Sequence, residues 1–121
     1  MKIAVASSGR WLESKVDAHT GRASCFIVYD TNLESYEIID NWQCHECHHW
    51  KGVKSTNMLT EADVDVVIVQ KIGPNAFRKL ANAQIRVFFI EEDTVVRAIR
   101  RFREGTLSEA TEANCDGHSH L

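Results

Sequence analysis

Asp65-Val66-Val67-Ile68-Val69-Gln70-Lys71-Ile72-Gly73-Pro74-Asn75-Ala76-Phe77 is where the chain declares its architecture. Asp65–Val69 is a near-continuous apolar run whose alternation is too weak for a strand lying on a surface. Such a run suits a central parallel strand buried on both faces. Gly73-Pro74-Asn75 then opens a helix. Proline costs nothing there, because its missing N–H has no partner in the first turn. Ala76, Phe77, Leu80 and Ala81 fall on one face of that helix. Arg86–Ile90 reads as the next strand. Asp93 or Thr94 caps a last helix, with Val95, Val96, Ile99 and Phe102 on its buried side and Arg97, Arg100, Arg101 and Arg103 outside. Gly105 is its C-terminal stop.

Upstream the period is shorter. Lys2–Ala6 is an apolar run broken by Ser7-Ser8-Gly9. Cys25–Asp30 is rich in β-branched and aromatic residues, and Ser35–Asp40 alternates. Thr31-Asn32-Leu33-Glu34 between them is turn-like, so the two form a hairpin. Asn41–Lys51 is a polar loop rich in Cys, His and Trp. Val53, Met58, Leu59 and Ala62 mark a further helix. The expected order is β-β-β-α-β-α-β-α: an α/β fold with a mixed five-stranded sheet flanked by helices. Residues 1–108 form the domain, and 109–121, without apolar periodicity, read as a flexible tail bearing Cys and His.

Composition sets the limits. The chain has 121 residues, 44% hydrophobic and 26% charged, the balance of one folded domain. A formal net charge of -3 argues against binding nucleic acid through bulk positive charge. The apolar runs, Val66–Val69 and Val87–Ile90 among them, are strand-sized and too short to span a membrane. The N-terminal apolar run is too short for a signal peptide, so a cytoplasmic location is expected. In that compartment clustered cysteines point to metal binding or catalysis and not to disulfides.

Five of the six histidines cluster with three of the four cysteines. Cys44-His45-Glu46-Cys47-His48-His49 carries two thiols two residues apart, a spacing that places both sulfurs on one metal. Thiolates suit zinc, copper(I) and iron–sulfur clusters, and imidazoles suit zinc, copper and iron. Trp42 and Trp50 bracket the segment. A second C-x-x-H unit, Cys115–His118, follows, with His120 beyond it. The two units together would make a Cys3His zinc set. Cys25, at a strand start, reads as a small apolar residue. Gly73-Pro74-Asn75 presents free N–H groups that attract anions, an anionic metal–sulfur cluster included. The first strand has no acidic residue, and Asp63 and Asp65 lie at the opposite edge of the sheet. That pattern argues against a two-metal nuclease, and no G-x-S-x-G, P-loop or G-x-G-x-x-G is present.

Topology gathers these groups before any relative is considered. If strands one, three, four and five run parallel, the loop after Ala6, the stretch His19–Arg22, the Cys/His loop and Lys71–Asn75 share one edge. Open α/β sheets bind ligands outside the carboxyl ends of their strands. The last helix runs away from that edge, so the tail is expected to start at the far end of the molecule. Deleting Asn114–Leu121 should then weaken binding little.

Met1-Lys2-Ile3-Ala4-Val5-Ala6-Ser7, Val16-Asp17-Ala18-His19-Thr20-Gly21-Arg22-Ala23 and Ile72-Gly73-Pro74-Asn75-Ala76-Phe77 resemble the dinitrogenase iron–molybdenum cofactor-binding domain family. That family includes the NifX/NafY-like proteins and the molybdenum–copper–sulfur orange protein. The resemblance covers roughly residues 1–105. It implies a ribonuclease H-like fold and the binding or carriage of a metal–sulfur cluster (Fe–S, Fe–Mo–S or Mo–Cu–S) without catalytic turnover. It also implies cluster-assembly or acceptor proteins as partners. The family motif supports Gly21, Arg22, Gly73, Pro74 and Asn75 as cluster-binding positions. This chain departs from it with His19-Thr20 where members carry arginine and phenylalanine, and with Cys44–His49 in place of a glycine-rich segment. Chemistry and the expected edge geometry, and not the family motif, make Cys44, Cys47, His45, His48 and His49 the expected metal ligands, with His19 beside the motif. A zinc-binding module built on Cys44 and Cys47 is the alternative, and a thiol redox pair is a third class.

Overall fold

A computed structural model describes residues 1–18, 25–40 and 59–114. Its elements are β1 (Lys2–Ser7), β2 (Cys25–Asp30), β3 (Ser35–Asp40), β4 (Val66–Val69), α1 (Pro74–Asn82), β5 (Arg86–Phe89), α2 (Val95–Arg103) and β6 (Ser108–Glu109). Residues 59–61 are also helical, and the rest of the helix expected around Val53 and Met58 lies outside the described residues.

The strands form one mixed sheet in the order β3-β2-β1-β4-β5-β6. β1 pairs antiparallel with β2 and parallel with β4, β4 pairs parallel with β5, and β2 pairs antiparallel with β3. All four residues of β4 are fully buried, as expected of a strand covered on both sides. Val67 and Val69 pack with Leu80 of α1 in one core, while Val66 and Ile68 pack with Val95, Ala98 and Ile99 of α2 in the other. Period-2 alternation is hidden in such a strand because neither face meets water.

The helix limits follow local chemistry. Gly73 is the N-cap of α1 and Pro74 opens it. Leu80 is buried, Ala76 and Phe77 are half-buried, and Ala81, expected on the same face, is exposed. Thr94 caps α2, its hydroxyl accepting from the Arg97 N–H at 3.4 Å. Asp93 pairs with Arg97 at 3.2 Å and Arg101 at 3.7 Å. Gly105, at φ 76°, ends the helix in the left-handed region.

One expectation needs correction here. The five-stranded ribonuclease H-like sheet is in fact six-stranded, because β6 joins β5 antiparallel, Ser108 opposite Phe89 and Glu109 opposite Phe88. Ala110 continues the contact by donating to the Val87 carbonyl at 2.8 Å. A two-residue, exposed strand carries no apolar alternation, which is why the sequence does not display it.

An ion pair fastens this strand. Arg86 meets Glu109 through two hydrogen bonds, of 2.8 and 3.1 Å. The guanidinium holds the Glu109 carboxyl below its ordinary value of 4.5. A depressed carboxylate contributes stability above its unfolded value and loses it as pH falls through the folded one. The protection of the Ala110 amide, measured against its intrinsic exchange rate at each pH, is therefore expected to fall on acidification below pH 4.5, and the fall should vanish in Glu109→Gln. An unchanged acid response in that variant would remove the ion pair from the account. Both side chains are exposed, so added salt should weaken the effect.

Candidate functional site at the carboxyl edge of the sheet

Because β2 opposes both β1 and β3, strands β1, β3, β4 and β5 point the same way. Their carboxyl ends share one edge. Ser7, Cys25 and Asp40 lie side by side there in register. Ser7 is fully buried, and its hydroxyl donates to the Gly9 carbonyl and accepts from the Gly9 N–H. Cys25 is 1% exposed, with its thiol donating to the same carbonyl at 3.0 Å. Burial and this bond fit the reading of Cys25 as a small packing residue.

The two helices begin very differently. At α2, the segment after β1 folds over the start: Val95 donates to Ser14 and Val96 to Leu12, both at 2.8 Å. With Thr94 serving Arg97, the first turn's donors are spent within the protein. At α1, Gly73 supplies no side-chain cap and Pro74 has no N–H. Among the described residues, no acceptor meets the N–H groups of Asn75 and Ala76. No acidic residue stands in that first turn either. Among the described residues, then, nothing offsets the partial positive charge at the start of α1, whereas that of α2 is spent.

The expected site residues divide accordingly. Gly73, Pro74 and Asn75 sit together at the start of α1, on the carboxyl edge. His19, Gly21 and Arg22 lie outside the described residues, as do Cys44, His45, Cys47, His48, His49, Cys115, His118 and His120. The residues from which these stretches depart are described, however. Asp17 donates to the Ala6 carbonyl at 2.8 Å, fixing the approach to 19–24 at the end of β1, and Cys25 receives the chain beside Ser7. Asp40, the last residue of β3, leads into 41–58. Asn114 leads into 115–121, and it is bonded to Gln70 and Ile72, between β4 and α1.

That last placement is another correction. The C-terminal segment does not start at the far end of the molecule. α2 does run away from the edge, but β6 begins opposite Phe89, and the chain after it returns to Ile72. The contact joins residues 42 apart through one side chain, and no local pattern in the sequence announces it. Gln70, whose amide donates to the Val16 carbonyl at 2.8 Å, also escaped the sequence reading.

Among the described residues, no three His, Cys, Asp or Glu side chains gather to hold a metal ion. A surface cavity of about 390 Å³ runs along α2, lined by Leu12, Tyr29, Val96, Ile99, Arg100, Arg103 and Glu104. It lies on the α2 side of the sheet, and Gly73, Pro74 and Asn75, the expected site residues that are described, do not line it. No described helix is long and apolar enough to cross a membrane.

Comparison with known proteins gives a consistent picture. Residues 1–105 match the profile of a family described as dinitrogenase iron-molybdenum cofactor. The apo form of the orange protein from Desulfovibrio gigas is 32% identical, with a TM-score of 0.91 over 94% of this chain and 96% of that one. A Thermotoga protein of the DUF35 family is 29% identical, with a TM-score of 0.79 over 96% and 98%. An uncharacterized protein of Methanocaldococcus jannaschii is 27% identical over 90% of this chain and 91% of its own.

Proposed function

Since the chain belongs to the dinitrogenase iron–molybdenum cofactor family, we propose that it binds a metal–sulfur cluster at the carboxyl edge of the sheet and carries it for cofactor assembly or delivery. This is carriage without catalytic turnover. One observation supports it above the rest: the stretches bearing Cys and His all depart from the edge where the uncapped start of α1 lies. Cys44 and Cys47 are the thiolate donors, with His45, His48 and His49 as imidazole donors beside them. Gly73, Pro74 and Asn75 offer the helix start to the cluster's negative charge, and His19, Gly21 and Arg22 complete the positive side. The cargo is an Fe–S, Fe–Mo–S or Mo–Cu–S cluster, and the partners are cytoplasmic proteins that assemble or accept it. The likeness to the orange protein adds weight to this class of cargo.

A second reading has its own support. Asn114 brings the start of the Cys115–His118 unit to the same edge as the start of the Cys44 loop. That favours a Cys3His zinc site over one made of Cys44 and Cys47 alone. Anaerobic purification separates the readings. A bound cluster gives visible absorption with stoichiometric iron, molybdenum or copper. Zinc gives metal without colour, and a dithiol pair gives neither. Colourless protein free of these metals after anaerobic reconstitution would reject the carrier reading.

A further inference from the structure

We propose that Asn114 is the positioning residue of this site, holding rigid the backbone that enters α1; the proposal rests on the reading of that edge as a cluster site. The carboxamide of Asn114 donates through Nδ2 to the Gln70 carbonyl at 2.8 Å and accepts the Ile72 N–H on Oδ1 at 2.8 Å. The Asn114 N–H also donates to the Ile72 carbonyl at 3.2 Å. In a parallel ladder, one residue bonds the carbonyl before and the N–H after its neighbour. The Asn114 side chain does this around Lys71, so one carboxamide stands in for a strand.

The substitution answers a need of the fold. β4 ends at Val69 and α1 begins at Pro74, so the residues between them lie beyond the sheet's own ladder. The Gln70 side chain ties this link to Val16 on one flank, and Asn114 ties it on the other. Ile72, 1% exposed, plugs it into the core beneath α1. Gly73 follows in extended conformation, and the ring of Pro74 fixes the next φ. The start of α1 is thereby aimed before any cargo arrives. Donors that are already aimed stabilise an anion more than donors that must be ordered by it. Asn114 itself is exposed and contributes nothing to either core. Its loss should therefore loosen the link without unfolding the domain.

The test uses the full chain under anaerobic conditions with tetrathiomolybdate dianion, a coloured metal–sulfur anion, as probe. Asn114→Ala should bind it about tenfold more weakly, because the probe must then order a link that the wild type holds ready. Asn114→Gln, which keeps the amide but moves it by one methylene, should bind as weakly as the alanine variant. Both should lower the thermal midpoint of the unliganded protein by several degrees at most and leave it folded at the assay temperature. In both, amide exchange at Ile72 should quicken without the probe. The control Glu112→Gln, at an exposed position two residues away, keeps the clamp and should stay within about twofold of wild type. Undiminished affinity in Asn114→Ala overturns the proposal, as does an equal loss in Glu112→Gln. Wild-type protein that ignores the probe overturns the cluster reading and this inference with it. Ile72 exchange in the unliganded protein then shows separately whether the clamp exists.

Discussion

Cys44→Ser/Cys47→Ser protein should lose stoichiometric metal entirely and keep its fold. Serine is close to cysteine in size, but its hydroxyl stays protonated at neutral pH and offers a hard oxygen where a soft thiolate is needed. The remaining imidazoles do not replace two anionic sulfurs on a cluster. The fold should survive because, among the described residues, two closed apolar cores are already built from β1, β2, β4, β5, α1 and α2. Metal content per chain after anaerobic purification is the decisive measurement, with circular dichroism of the unliganded forms as control. Unchanged metal in the double variant would sink the ligand assignment. Unfolded protein would show instead that the loop has a structural role that the cores do not reveal.

The second large effect lies far from any ligand. Phe26→Ala should destabilise the protein by about 3–5 kcal/mol. Phe26 is fully buried, with Ala6 beside it on β1 and Ile39 beside it on β3. Ala4 and Ala6 share its core, so the ring fills space that two small residues leave open. Alanine side chains have no rotamers with which to close the resulting cavity, which puts the cost toward the upper part of the range. Against a typical total stability of about 5–15 kcal/mol, the variant should be partly unfolded well below the wild-type midpoint. Urea titration monitored by tryptophan fluorescence gives the value. A loss under about 1.5 kcal/mol would mean that the sheet closes over the gap.

The parts of the fold that were legible in the sequence are those that apolar burial writes into it. Val66–Val69 reads as a doubly covered strand because water is excluded from both its faces. The end of α2 is legible because Gly105 takes a left-handed conformation that other residues adopt at a cost. Asp63 and Gln84 take the same region without being glycine, so those turns carry no such sign. β6 is held by hydrogen bonds and one exposed ion pair, and neither leaves a periodic trace. The candidate site divides on the same line. Gly73-Pro74 is legible because a helix start has local chemistry. Asn114 is not, because its carboxamide finds its partners through the return path of the whole chain. The expectation that the C-terminal segment starts far from the edge failed for that reason.

The central position of β1 has a consequence for synthesis. β1, made before the other strands of this sheet, is flanked on one side by β2 and on the other by β4. Its antiparallel partner is complete at Asp30, but its parallel partner is complete only at Val69. At about 5–20 residues per second, the interval lasts roughly 2–8 s. For that time the flank of β1 that later receives β4 has open backbone N–H and C=O groups beside some of the most apolar residues of the chain. The β2–β3 hairpin, whose pairing is local, needs only microseconds to close. The nascent chain therefore spends seconds as a three-stranded half-sheet, and in that period chaperone binding or mispairing with another nascent chain competes with completion of the fold.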